Sequence, residues 1–396
     1  MKKILALVLA VAMVACMFVG CAGEPEETTP ATTTTPATTP DTTPDTTPDT
    51  APVTSGDAMK VAFVTDVGNI DDHSFNQYSY EGVTKFAEAN GLESTYYKPA
   101  GETDQDRIDS IQQAIDDGYG VIVMAGYLFG PAVYQVATAN PDVLFLALDV
   151  TTVDLGSDTV PANIALICYQ EEQSGYLAGY AAVVEGYKEL GFLGGIDVPA
   201  VVRFGYGFVQ GADYAAGLTG AKVNVKYCYG NQFFGDADIT AYMDTWYNEG
   251  TQVVFACGGG IYASAAEAAV KVNGKVIGVD VDQKGIIDGT YKEGLTVTSA
   301  MKGLGATVKA TLTGLAAGNW ADYSTKVETL GLVSGTDLEA NYVQLPTTTQ
   351  FGEGFTAEDY AALVADMFAG TITVSSSIDA EPTVANITVD YQGNIK

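Results

Sequence analysis

From residue 59 onward, short continuous apolar runs alternate with longer stretches whose apolar positions recur at helical spacing. MKVAFVTDV (59–67), YGVIVMAG (119–126) and VLFLALDV (143–150) predict strands buried on both faces. FNQYSYEGVTKFAEANG (75–91) and QDRIDSIQQAIDDGYG (105–120) between them predict helices. A second series repeats the pattern, with strand-like LGFLGGI, AKVNVKYCYG, TQVVFACGG and GKVIGVDVD separated by helix-like GFVQGADYAAGL and IYASAAEAAVKV. Strand and helix in alternation predict parallel sheets covered by helices, and two such series predict two α/β lobes.

Ligands of open α/β sheets sit beyond the carboxyl ends of the strands. The residues standing there are Asp66, Gly126, Asp149, Asp197, Gly258 and Asp280. With carboxylates at four of these positions, such a cleft disfavours an anion and offers acceptors to a ligand rich in hydroxyls or amines.

The first 58 residues follow another pattern. Met1, Lys2 and Lys3 precede the apolar run ILALVLAVAMVACMFVG, which is short for a membrane span and predicts a signal peptide over 1–20. Gly20 before Cys21 fits cleavage and lipidation at Cys21, with Cys16 a weaker candidate. Residues 21–57 are Thr, Pro, Asp and Glu with little to bury, including TTPDTTPDTTPDT, and predict a disordered tether between a lipid anchor and the folded part.

Composition narrows the partners. The 396 residues are 47% hydrophobic, enough for two domain-sized cores. Lysine and arginine number 18 against 49 acidic residues, and the net charge of -31 argues against nucleic acid and anionic lipid surfaces. Cys168, Cys228 and Cys257 lack CxxC spacing and indicate neither a disulfide framework nor a metal cluster.

The densest polar chemistry lies in GNIDDHSFNQYSYEG (68–82). Ser74 and Gln77 have capping-box spacing, so they predict a helix start, leaving Phe75 and Asn76 to face the strand ends. His73 is the only histidine and is placed on the rim, and Asp71–Asp72 lack the spacing of a calcium loop. In DVPAVVRFGYGFVQG (197–211), Phe208 is expected in the core, and Phe204 in a loop facing the cleft. Phe75 and Phe204 on opposite walls can sandwich a flat ring. Asp280 in GVDVDQ and Lys302 in TVTSAMKG can reach each other or one ligand. ACGGGIYASAA (256–266) lacks the spacing of a phosphate loop, so its glycines predict close backbone approach.

SFNQ after an acidic loop, PDVLFLALD, EEQSGYLAGYAA, GGIDVPAVVRFGYGF, GVDVDQ and SAMK occur in an order that resembles the basic membrane protein family. Within that family the chain is similar to the purine-nucleoside receptor lipoproteins of ABC importers, over residues 59 to about 345. The resemblance implies a type I periplasmic-binding fold, with two Rossmann-like lobes joined by a three-segment hinge. The expected division is 58–169 plus about 298–328 for lobe 1 and 170–297 plus about 329–396 for lobe 2. The second crossing is then expected after GVDVDQ.

The resemblance also implies site roles. Phe75 and Phe204 stack the base, Asn76 and Asp149 read its edge, Asp280 and Lys302 hold the ribose, and Asp66 lines the floor, with Gly258 at its strand end. His73, YLFG and ACGGGIYAS depart from the family pattern. The implied protein is a monomeric, non-enzymatic nucleoside receptor without cofactor or metal, lipid-anchored outside the cell membrane and serving a permease. The alternatives are a sugar or autoinducer-type binding protein of the same fold, and a nucleoside hydrolase using Asp71–Asp72 beside Asp66.

Overall fold

A computed structural model describes residues 59–396. The signal peptide (1–20), Cys21 and all of the tether (21–57) lie outside the described residues. The described part carries two sheets. Their strands are β1 Val61–Val64, β2 Ser94–Tyr97, β3 Val121–Ala125, β4 Leu144–Leu148, β5 Ile164–Tyr169, β6 Glu189–Gly194, β7 Val223–Tyr229, β8 Val253–Cys257, β9 Lys275–Asp280, β10 Thr296–Lys302, β11 Val327–Leu330, β12 Val343–Gln344 and β13 Ile387–Asn394.

The first sheet has the order β11-β5-β4-β3-β1-β2 with every pair parallel. The second runs β12-β10-β9-β8-β6-β7-β13, parallel except for the short β12. Strands β1, β3, β4, β5 and β8 are buried at every position, which is why their sequences are unbroken apolar runs. Strand order reverses between β1 and β3 in one lobe and between β6 and β8 in the other. Each reversal opens a crevice at the carboxyl ends of the strands.

The chain passes between the lobes after Tyr169, after Lys302, and between Leu330 and Val343. Backbone hydrogen bonds tie these passages together: Gln170 N donates to Leu330 O at 2.9 Å, Gly303 N to Tyr342 O at 2.7 Å, and Tyr342 N to Gly331 O at 3.2 Å. The second passage comes later than the sequence pattern indicates. TVTSAMK does not leave the lobe after GVDVDQ but pairs parallel with β9 through Met301↔Asp280, because it is a buried run able to extend the sheet. The third, from Leu330 to Val343, lies close to the expected boundary near 328–329, with β11 pairing with β5 through Leu330↔Tyr169. Helix Leu304–Ala316 then returns to the first lobe, where Leu304, Val308 and Leu312 share a core with Val83 and Phe86.

Helices Glu171–Val184 and Pro199–Thr219 meet backbone to backbone. A Cβ on Gly175 or Gly179 would collide with the carbonyl oxygen of Phe204 or Phe208. One on Gly207 or Gly211 would collide with that of Glu172 or Tyr176. This reciprocal glycine contact is the structural reason for EEQSGYLAGYAA and GYGFVQG, and it fixes Glu171 beside Arg203 and Phe204. Phe204 therefore lies within a helix, not in a loop, and Phe208 is core.

Candidate functional site

Helix Phe75–Asn90 starts beside the end of β1, but Ser74 does not cap it. Asp72 does: its Oδ1 accepts from Ser74 N at 2.8 Å and Gln77 N at 3.1 Å, and its Oδ2 accepts from Asn76 N at 2.9 Å. Gln77 Oε1 accepts from His73 N at 3.2 Å, one residue earlier than a Ser74 capping box requires. Freed from capping, the buried Ser74 hydroxyl donates across the lobes to Asp280 Oδ2 at 2.6 Å. A second bridge runs from Gln283 Nε2 to His73 O at 3.1 Å.

Asn76 is committed internally. Its Nδ2 donates to Asp66 Oδ1 at 2.9 Å and Asp72 Oδ2 at 3.1 Å, and its Oδ1 accepts from Asp66 N at 3.2 Å. Both amide hydrogens are used, so Asn76 holds Asp66 in place and has no donor left for a ligand. Asp66 Oδ1 also accepts from Gly68 N at 2.7 Å, while among the described residues no donor reaches its Oδ2. Burial pushes the Asp66 carboxyl up to about 6, against the pull of those hydrogen bonds.

At the centre lies Lys302, at the end of β10 and buried. Its Nζ is 2.6 Å from Asp149 Oδ2, 3.4 Å from Glu171 Oε1 and 3.9 Å from Asp280 Oδ1. Arg203 Nε completes the cluster, 2.6 Å from Glu171 Oε2. Burial alone would favour a neutral lysine, but the carboxylates around it reverse that and hold the ammonium charged. Burial also pushes Asp149 up, with Lys302 opposing, and raises Asp280 to about 6 against Lys302 and Ser74. Asp149 and Asp280 take left-handed backbone angles, φ 56° and 65°, which turn the chain sharply at the strand ends. Asp149 Oδ1 is buried without a hydrogen-bond partner.

The Phe75 ring centroid is 4.6 Å from Lys302 Nζ and that of Phe204 is 5.7 Å from it, so one ring from each lobe approaches the same cation. Of these groups, Asp66, Asp72, Phe75, Asn76, Asp149, Phe204, Asp280 and Lys302 line one cavity between the lobes. The structure brings Asp66, Phe75, Asn76, Asp149, Phe204, Gly258, Asp280 and Lys302 onto its wall. Asp197 is exposed and outside it, although its neighbours Ile196 and Val198 line it. Among the described residues no three His, Cys, Asp or Glu side chains converge as a metal ion requires.

The family model of PnrA-like ABC transporter substrate-binding proteins matches residues 59–336. The chain belongs to this family. A CD4+ T-cell-stimulating antigen of Listeria monocytogenes is 30% identical over 285 residues, 68% of this chain and 76% of that protein. An ABC transporter nucleoside-binding protein, BmpA, of Lactococcus lactis is 28% identical over 268 residues, covering 63% and 73%. An ABC transporter solute-binding protein of Aeropyrum pernix shares the fold, with a TM-score of 0.65 at 19% identity over 81% of this chain and 94% of that one. PnrA-like proteins are thus binding components of transporters, working outside the cytoplasm, and the family is not one of enzymes.

In this PnrA-like chain, several wall residues escape a reading of strand ends alone. Tyr127, Ile196, Val198 and Phe233 are apolar, and only the fold brings them to the cavity. Glu171 was detectable, since it stands two residues past NIALICY, where the same strand-end logic applies. Cys257 lines the cavity as a thiol that burial holds protonated, and Cys168 and Cys228 are likewise buried and free.

Proposed function

We propose that this substrate-binding protein captures a purine nucleoside and delivers it to an ABC permease, tethered to the outer face of the cell membrane through lipid on Cys21. The observation that carries the reading is the pair Phe75 and Phe204, reaching from opposite lobes toward one buried ammonium, with open carboxylate oxygens on Asp66 and Asp149 beside them. A flat base between the rings loses water on both faces, a contact worth ~1–3 kcal/mol per base in single-strand recognition. The open oxygens of Asp66 and Asp149 accept from its N–H edge, a task that moves from Asn76 to Asp66. Asp280 and Lys302 take the ribose hydroxyls, the first as acceptor and the second as donor.

The charge balance favours a neutral ligand. Lys302 and Arg203 face Asp66, Asp72, Asp149, Glu171 and Asp280, so an added phosphate meets net negative charge in a desolvated space. No step in this mechanism makes or breaks a covalent bond. Ligand contacts from both lobes favour their closed arrangement, by as much as the ligand prefers it to the open one.

Titration calorimetry of the full chain tests this with inosine, guanosine, adenosine, cytidine, hypoxanthine, ribose and inosine 5′-monophosphate. Purine nucleosides are expected to bind at micromolar Kd or tighter, with free base and ribose far weaker. Binding of pentoses without nucleosides would instead establish the sugar-binding reading, and release of hypoxanthine from inosine would establish the hydrolase.

A further inference from the structure

Three glycines at the second lobe's crevice are explained by one phenylalanine. That crevice opens between β6 and β8, whose carboxyl ends lead into Gly195 and Gly258. Phe233 lies over both: a Cβ on Gly195 would overlap its ring, and one on Gly258 would come within 3.0 Å of its Cδ1. Gly259 is pressed against the same residue's backbone, 2.8 Å from Phe233 O, with φ 50°. The glycines of ACGGGIYASAA thus make room for a side chain from another loop.

That loop is held on several sides. Gly230 N donates to Gly194 O at 2.8 Å, Asn231 N to Gly195 O at 3.0 Å and Gly260 N to Phe233 O at 2.8 Å. Strand β13 pairs parallel with β7 and carries the chain onward so that Ile395 N donates to Tyr229 O at 2.8 Å. Lys396 then pairs with Asp236 and donates to Gln232 Oε1 at 3.4 Å, gripping the loop on either side of Phe233. Residues 337–396, which include this brace, follow the part matched by the family model.

The cavity floor in this lobe is a row of neighbouring strand ends, Lys302 on β10, Asp280 on β9 and Gly258 after β8, and the next strand in the sheet, β6, leads into Gly195. Strands lie ~4.8 Å apart, so the ring begins about one spacing beyond Asp280. With the 2′ and 3′ hydroxyls on Asp280, the 5′ carbon is the part of the sugar left to face Gly258 and Phe233.

We propose that Phe233, braced by residues 387–396, is a specificity-determining plug that ends the site at the ribose and turns away ligands extended beyond the 5′ carbon. The proposal rests on the nucleoside reading above. Crowding by even one methylene-sized group in an apolar pocket costs ~10–200-fold in discrimination.

The test measures Kd by calorimetry for inosine and uncharged 5′-O-ethylinosine on the full chain, as wild type, Phe233→Ala, Phe233→Leu and Lys396→Ala. The wild type is expected to bind 5′-O-ethylinosine at least ~10-fold more weakly than inosine. Phe233→Ala should close most of that gap, and Lys396→Ala part of it. Phe233→Leu keeps an apolar filler and reads the same gap should the alanine variant fail to fold. Equal binding of both probes by the wild type, or a gap unchanged in a folded Phe233 variant, overturns the plug while leaving the nucleoside reading intact. A wild type that binds neither probe overturns both.

Discussion

Replacing Lys302 with methionine removes the one ammonium shared by Asp149, Glu171 and Asp280, at 2.6, 3.4 and 3.9 Å. At an effective dielectric of ~20 the gross attractions are ~6, ~5 and ~4 kcal/mol, most of which offsets the burial of the charges. Removing one partner from a buried ion pair typically costs ~3–5 kcal/mol. Here three carboxylates lose it and Arg203 alone remains, so the expected loss is at the upper end, ~4–5 kcal/mol at pH 7.5. Urea unfolding of the full chain, followed by tryptophan fluorescence, reads this loss directly.

The pH dependence of that loss adds a second check. Without the ammonium, Asp149 and Asp280 have folded-state pKa values further above their unfolded values. The native state then binds more protons than the unfolded one as pH falls, and the deficit should shrink between pH 7.5 and 5.5. Asp149→Asn is the control, because it leaves Lys302 with Glu171 and Asp280 and should cost less than ~2 kcal/mol. A loss for Lys302→Met below ~1 kcal/mol, or one that is the same at both pH values, refutes the idea that this lysine neutralises the cluster.

Three further outcomes are expected. Asp72→Ala should speed hydrogen exchange at the amides of Ser74, Asn76 and Gln77 and cost ~1–2 kcal/mol, whereas Ser74→Ala should leave those amides protected; the reverse pattern would return the cap to Ser74. Gly207→Ala forces a Cβ into the Glu172 carbonyl and should cost ~2–3 kcal/mol by urea unfolding while weakening nucleoside binding through displaced Phe204; a neutral variant would show that the helices can part. Asp66 and Asp280 titrate near 6, so their acceptor forms are present at pH 7 and largely protonated at pH 5. Nucleoside affinity should therefore fall at least ~10-fold over that interval by calorimetry, and a flat profile would remove these carboxylates from ligand contact.

The lobes were legible because buried parallel strands leave unbroken apolar runs, as in VIVMA and LFLAL, and because ligand groups collect at their carboxyl ends. What was illegible depends on distant partners. Ser74 has cap spacing, yet its hydroxyl finds Asp280 206 positions away, while Asp72 does the capping. Asn76 has the chemistry to read a ligand edge, but Asp66 and Asp72 occupy its donors, a fact of geometry with no local trace. Phe233 lies in NQFFGD with no motif to mark it, and only the glycines across the crevice record its presence. The second passage falls later than expected because a buried strand at the end of a lobe has the same pattern as one beginning the next.

The three passages between the lobes lie side by side and are joined by backbone hydrogen bonds, with Glu171 and Lys302 at their edge. Any rotation of one lobe against the other turns about this line, so displacement grows with distance from it, as on a door. The Lys302–Glu171 pair sits at the hinge post, where an angle of opening barely changes its length. The Ser74–Asp280 and His73–Gln283 bonds span the lobes elsewhere in the cleft and work as its catch. Asp280 belongs both to this catch and to the charged centre, so a substitution at Ser74 alters how readily the cleft opens and the ionisation of Asp280 together.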